Sequence, residues 1–556
     1  MTVCATLHAA AAYAGVLLLA APPSAGMAQS SDAHTYQPGI DIVDYSLHYD
    51  LPREGHRIAG RAELAVRRTA ATDSLILDLI RLRVDSVLVA GRPEAFHRDS
   101  ATIRIPLRVS LADSFTVAIR FHGEVEDGLI IRTDSLGRWM AFGDNWPDRA
   151  RHWIPSVDHP SDKATVTWTV RAPGERRVVA NGSLAQEAPI TGEDGDGWTI
   201  TTWRESRPIP TYLMVFAAAP LAFHDLGPSA CGESEFPGCV RQSVYVFPEA
   251  LDFLPGPFRH ADGIVEFFVD MVAPFPYEKL AHLQSATRFG GMENASAIFY
   301  GDRGFRERTM GPGLIAHETA HQWFGNSVTE REWAHLWLSE GFATYFEKLW
   351  VERFQGDSVF RAAMSEIRTQ IEKSPATALR PVIDTAQANL LALLNTNSYQ
   401  KGAWTLHMLR SLVGDSAFFA GVRSYYAANS HGTALTSDLV VAMEAASGQE
   451  LDWFFDQWLR RPGVAELTTS WSYDRDSGRV ILDLAQGGAF APYRFPLTVE
   501  LRGASGGIQR VTVDVAAERE VRIPLPIDVP EQPVAVVLDP DVELLATFST
   551  GKPWSQ

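Results

Sequence analysis

The chain has 556 residues, 46% hydrophobic and 21% charged, a balance that suits a globular protein of several domains and excludes a fibrous or disordered one. Acidic residues outnumber basic ones by 67 to 49, for a formal net charge of −18. That charge argues against nucleic acid and anionic membrane surfaces as partners.

The first 28 residues carry no charged side chain, and Ala9 to Ala21 form an apolar run too short for a convincing membrane span. Pro22-Pro23-Ser24-Ala25-Gly26-Met27-Ala28 follows. Residues 1–28 are therefore expected to be a secretory signal peptide cleaved near Ala28, and the mature chain to be secreted or periplasmic. The n-region lacks Lys and Arg, so an uncleaved anchor is the rival reading. No later segment is apolar enough to span a bilayer.

Residues 29–247 read as an N-terminal β domain. Short alternating runs such as Arg61-Ala62-Glu63-Leu64-Ala65-Val66 and Thr165-Val166-Thr167-Trp168-Thr169-Val170 recur between turn residues. Cys4 leaves with the signal, and Cys231 and Cys239 flank a turn-rich loop. A local disulfide suits an oxidising compartment, and a reduced, merely buried pair is the alternative.

From 248 to 461 the period becomes helical, as in Ile264-Val265-Glu266-Phe267-Phe268 and Trp453-Phe454-Phe455-Asp456-Gln457-Trp458-Leu459. Gly290-Gly291-Met292-Glu293-Asn294 suggests a tight strand edge where backbone approaches something closely. By composition alone Gly-Gly is equally a turn, and Glu293 a surface carboxylate. His317-Glu318-Thr319-Ala320-His321 then places two histidines four apart on one helix face, where both imidazoles reach one metal ion. Gln322-Trp323-Phe324 are expected to continue that helix until Gly325-Asn326 stops it. A second helical segment, Leu336 to Glu347, carries Glu340. A catalytic zinc site takes three protein ligands, so His317, His321 and Glu340 complete a set with Glu318 beside it. Pro462-Gly463 breaks the pattern, and residues 462–556 return to alternating runs that read as a small β-sandwich. The expected fold is multidomain α+β: β domain, α-rich catalytic domain, β-sandwich.

The order Gly-x-Met-Glu-Asn, His-Glu-x-x-His, then Glu340 after eighteen intervening residues resembles the gluzincin zinc aminopeptidases of the aminopeptidase N and leukotriene-hydrolase type. His321-Gln322-Trp323-Phe324-Gly325-Asn326, Leu336-Trp337-Leu338-Ser339-Glu340-Gly341-Phe342-Ala343, Asp158-His159-Pro160, Lys163-Ala164, Tyr212-Leu213 and Tyr399-Gln400-Lys401-Gly402 extend the likeness over about residues 38 to 465. The resemblance implies a thermolysin-like catalytic domain and one zinc ion held by His317, His321 and Glu340. It implies Glu318 as general base on the attacking water and Tyr399 as oxyanion stabiliser. It also implies Glu293 as the site of the substrate amine, with Gly290, Gly291, Met292 and Asn294 along the peptide backbone. By itself Tyr399 is one of fourteen tyrosines and reads as a core-edge residue.

Several positions depart from the family pattern. A Gln or Glu that usually gives the amine a second contact falls on Trp146, after Asp144 and Asn145. A carboxylate common shortly before the Trp-Leu-x-Glu-Gly run is replaced by Ala334-His335, leaving Glu347 as candidate to orient a zinc histidine. Leu394 stands five before Tyr399, where an aromatic residue is frequent. The chain ends at Gln556, after the β-sandwich and without the family's frequent C-terminal helical domain, so a more open site is expected. The expected function is removal of N-terminal residues from peptides bearing a free amine. An epoxide hydrolase and a non-enzymatic peptide-capturing module are the rivals.

Overall fold

The computed structural model describes residues 37–108, 111–191, 197–229 and 240–552. The signal-peptide expectation and the Cys231–Cys239 pair lie outside the described residues. Among those described, no helix is long and apolar enough to cross a membrane.

The chain opens as a β structure. An eight-stranded sheet runs, edge to edge, through Ser183–Ile190, Trp198–Pro210, Lys163–Pro173, Ile40–Asp50, Arg57–Arg68, Ser114–Glu124, Arg83–Val89 and Arg92–Pro93. Its neighbours pair antiparallel except Ile40–Asp50 with Lys163–Pro173. Strand Lys163–Pro173 alternates buried and half-buried positions, the period-2 signature of a sheet with one face in the core. That core gathers Tyr49, Trp153, Trp168 and Phe216, with Trp153 and Trp168 stacked at 5.6 Å.

A five-stranded mixed sheet follows, in the order Ala222–Ser229, Val240–Val246, Leu280–Ser285, Ala297–Gly301 and Gly291–Met292. The expected boundary at 247/248 therefore falls inside one sheet. The alternating runs before it looked like the preceding β domain because strand period does not tell which sheet a strand joins. Gly291–Met292 is the edge strand, paired antiparallel with Phe299 and Tyr300.

Helices Ala261–Met271, Pro312–Ala320, Trp337–Gln355, Asp357–Glu372, Gly402–Val413, Asp415–Asn429, Thr436–Ser447 and Asp452–Leu459 build the α-rich part. The motif helix ends at Ala320, not at Phe324. The Trp323 and Phe324 amides both donate to the Ala320 carbonyl at 3.1 Å, a tightened last turn instead of further α-helix. The next ligand helix runs past Glu347 to Gln355, where Gly356 at φ +90° turns the chain out. Two small sheets, of four and three strands, complete the described fold between Ala465 and Thr550.

Candidate metal centre

Pro312 opens the motif helix in its first turn, where a missing amide hydrogen costs nothing. Four residues apart, His317 and His321 bring their Nε2 atoms within 3.2 Å of each other. Glu340, in the first turn of helix Trp337–Gln355, sets Oε2 3.4 Å from His317 Nε2 and 3.3 Å from His321 Nε2. A tetrahedral zinc with donors at about 2.0–2.1 Å spaces them about 3.3 Å apart, so these three atoms outline one face of its tetrahedron. Glu340 Oε2 is buried with no hydrogen-bond partner, as suits an oxygen reserved for a cation. Burial works against its ionisation, but His321 and His317 hold its pKa at about 2. Burial likewise opposes charge on His321, and Glu340 overrides it.

His321 Nδ1 lies 3.1 Å from the Phe324 carbonyl and 3.1 Å from Ser339 Oγ. Donating to that carbonyl fixes the ring so that the Nε2 lone pair faces the other two donors. The tightened turn at the end of the motif helix thus aims a ligand. Gly325, at φ +108°, has no room for a side chain there, since a Cβ would stand 2.2 Å from Ser339 Oγ. Neither Ser339 nor Phe324 was marked for this by sequence; the only signal was Ser339's place beside Glu340. Glu347 Oε2 sits 3.9 Å from His317 Nδ1, an ion-pair separation too long for a hydrogen bond. His335 turns away and bonds Thr436 Oγ1 at 2.8 Å.

Tyr399 rides on a π-helical turn, Asn397–Lys401. Its ring stacks on His317 at 6.2 Å, and its hydroxyl donates to Glu340 Oε1 at 2.8 Å. Burial and then the Glu340 charge push its pKa well above the usual tyrosine value, so the hydroxyl keeps its proton. Helices Trp337–Gln355 and Gly402–Val413 touch through two glycines: a Cβ on Gly341 would meet Gly402 Cα at 3.0 Å. That backbone contact is what brings Tyr399 to Glu340.

Glu318 lies under the edge strand. A Cβ on Gly291 would stand 2.0 Å from its carboxylate oxygen, so the glycine pair gives this acid its room. Ligand atoms of Glu318, Glu293 and His321 all lie within 4.8 Å of one another. Burial raises Glu318, and it raises Glu293 to about 7. The Glu293 carbonyl accepts from Gln322 Nε2 at 3.0 Å and Asn326 Nδ2 at 2.6 Å, and Gln322 Oε1 accepts from the Ser296 amide at 2.9 Å. The polar residues after the motif thus hold the loop bearing Glu293. The β structure clamps them from behind. Lys163 Nζ donates to the carbonyls of Asn326, Ser327 and Gly432 at 2.8–3.0 Å, and Tyr212 donates to the Gly325 carbonyl at 3.1 Å.

These groups share a cavity of about 460 Å³ walled by Gly290, Gly291, Met292 and Glu293 on one side and Trp146, Phe289 and Leu394 on another. Asn294, expected along the substrate backbone, is instead fully buried and outside that wall. It lies beyond the edge strand Gly291–Met292, in the loop that Gln322 and Asn326 hold at the Glu293 carbonyl. Asp144 and Asn145 are also withdrawn. Asn145 bonds the carbonyls of Thr211 and Met214 and the Trp153 indole, while Asp144 accepts from Arg149, Arg288 and Thr287. Trp146 alone of the three faces the cavity.

The sequence matches the Peptidase M1 N-terminal domain over residues 42–213 and the Peptidase family M1 domain over 260–458. The chain belongs to the peptidase M1 family. The metal of the triangle is accordingly zinc, in agreement with its two imidazoles and one carboxylate. Among curated M1 relatives, the glutamyl aminopeptidase of Rattus norvegicus is 26% identical over 527 residues, 86% of this chain and 54% of its own length. Aminopeptidase N of Lactococcus lactis subsp. lactis is 25% identical over 447 residues, 76% and 51% respectively. The chain thus spans about half the length of these relatives. An M1 zinc metallopeptidase structure from Deinococcus radiodurans is similar at TM-score 0.67 and 26% identity, covering 78% of this chain and 97% of its own. Legionella pneumophila aminopeptidase A, solved with aspartic acid, shares the fold at TM-score 0.81 and 17% identity, covering 94% and 60%.

Proposed function

We propose that this M1 member is a zinc aminopeptidase that removes the first residue from peptides with a free amino terminus. The observation that carries the reading is the placing of Glu293 and Glu318 within 4.8 Å of each other beside the zinc donors. A carboxylate that takes the substrate ammonium at Glu293 sets the first peptide carbonyl, and no later one, against Glu318 and the metal.

Bound zinc supplies Lewis-acid polarisation of the scissile carbonyl and acidifies water. Glu318, in its slot under Gly291, takes the proton of the attacking water and returns it to the leaving amine. The Tyr399 hydroxyl turns its one hydrogen from Glu340 Oε1 to the oxygen that gains charge. The Gly290–Met292 edge offers main-chain groups to the peptide, as an unpaired strand edge does. The names of the glutamyl aminopeptidase relatives would carry an acidic first residue to this chain. A two-domain M1 zinc metallopeptidase solved with L-tryptophan, 25% identical at TM-score 0.68, would carry an aromatic one.

The test is hydrolysis of free aminoacyl-arylamides and their N-acetylated twins, with and without a chelator. Cleavage confined to free amines and lost with chelation is the expected result. Equal cleavage of acetylated substrates would remove the role given to Glu293. No cleavage by a protein holding one zinc per chain would favour a peptide-capturing relative.

A further inference from the structure

Trp146, Phe289, Met292, Leu314 and Leu394 are the apolar side chains that line the cavity holding Glu293, and they are what a substrate's first side chain has for neighbours there. Trp146 meets Phe289 edge-on at 6.1 Å and Trp333 at 5.5 Å, so its plane is fixed from two sides. Phe289 is backed by the Arg149 guanidinium, 5.8 Å from its ring centre. The cage is therefore apolar, aromatic and rigid.

Its charge is equally one-sided. Among the described residues, four carboxylates line the cavity and no Arg or Lys does. The nearby cations are committed elsewhere. Arg288 donates to Asp144 at 2.9 Å and Asp127 at 2.7 Å, and Arg149 donates to Asp144 at 3.0 Å. Two arginines and two aspartates form an ion-pair network beside Phe289, none of them lining the cavity. It staples the β structure to the catalytic part and ties both guanidinium groups to carboxylates outside the lining.

We infer that the chain selects peptides with an apolar first residue, aromatic above all, and rejects acidic ones, with Trp146 as the residue that sets the choice; the inference rests on the aminopeptidase reading. An aromatic side chain finds an edge-to-face partner in Trp146 and leaves water for a pocket of its own polarity. A carboxylate would lose its hydration among apolar rings, with no Arg or Lys among the described lining residues to receive it. The substitution of Trp for an amide or carboxylate thus does two things. The ammonium relies on Glu293, and the space freed becomes a hydrophobic wall.

The experiment measures kcat/KM for Phe-, Leu-, Ala-, Glu- and Asp-arylamides with the zinc-loaded protein. Phe and Leu are expected to exceed Ala by about 10- to 100-fold, and to exceed Glu and Asp by about 100-fold or more. Free-amine cleavage led by Glu or Asp would overturn this inference and leave the aminopeptidase reading intact. Cleavage of no arylamide, or equal cleavage of acetylated ones, would overturn both. Trp146→Ala should lower the Phe-to-Ala ratio at least tenfold through KM, whereas a purely structural role would lower both substrates alike. Leu394 is only partly buried, so Leu394→Arg keeps the test open if the first variant does not fold. It should raise the Glu-to-Phe ratio tenfold or more, and an unchanged ratio would overturn the inference.

Discussion

The two sides of the cavity are built by different means. The zinc side comes from neighbours in sequence: His317 and His321 one turn apart, Glu340 on the next long helix, and a bracing carbonyl from Phe324. The substrate side is assembled across the molecule. Lys163 and Tyr212 hold the turn after the motif, Asp144 and Arg288 pin the Trp146–Phe289 wall, and Asn181 bonds the Leu213 and Ala295 carbonyls. The metal donors are thus set by local sequence, while the Trp146–Phe289 wall rests on a seam between the β and α parts. Substitutions on the two sides should fail in different ways.

The largest effect belongs to the zinc side. Glu318→Gln should lower kcat by about 10³-fold or more while metal analysis still finds one zinc per chain. Retained turnover would break the assignment of the base. Tyr399→Phe comes next, with kcat down about 10²- to 10³-fold and KM little changed. A loss in KM alone would place the hydroxyl on the substrate side instead.

The seam should answer through stability and KM. Lys163→Met removes a donor from three carbonyls; Thr329 still donates to those of Asn326 and Gly432, so the loss falls mainly on that of Ser327, a cost of about 1–3 kcal/mol. The melting temperature should fall, and KM for every arylamide should rise as Asn326 loosens its hold on Glu293. An unaltered KM would mean that the two sides are less separate than their bonding suggests.

A further effect, from residues outside the lining of the cavity, is on the pH dependence of folding. Burial holds His282 neutral down to about 3, and burial holds His335 and His407 neutral down to about 4. Each is depressed in the folded chain, so the unfolded chain binds more protons below its ordinary pKa of about 6.5. Stability is then full above about pH 6.5 and falls on acidification by up to about 1.4 kcal/mol per unit for each histidine. Urea midpoints between pH 7 and 5 should show the fall, and His407→Gln should make it shallower.

Spacing was enough to bring the zinc donors together, because helix period places His317 and His321 on one face and the Trp-Leu-x-Glu-Gly run marks Glu340. The fold class followed from the change between period 2 and period 3.6. What spacing could not carry was partnership at long range. Strands Ala222–Ser229 and Val240–Val246 look like any others until their neighbours are known. Asp144 and Arg288 are 144 positions apart, and nothing in either stretch announces the bridge. Asn294 sat inside a recognised motif, yet the loop after the edge strand buries it away from the cavity lining. The end of the motif helix was misplaced for a local reason: a tightened turn and an α-turn have the same composition.

The Gly341–Gly402 contact has a mechanical consequence. Between most packed helices lies a layer of side chains that can change rotamer and let one helix slide. Here backbone rests on backbone, with a would-be Cβ only 3.0 Å from the opposing Cα. There is no layer to rearrange, so Glu340 and Tyr399, already joined by a hydrogen bond, ride on a single rigid lever, and a jolt to either helix moves both together.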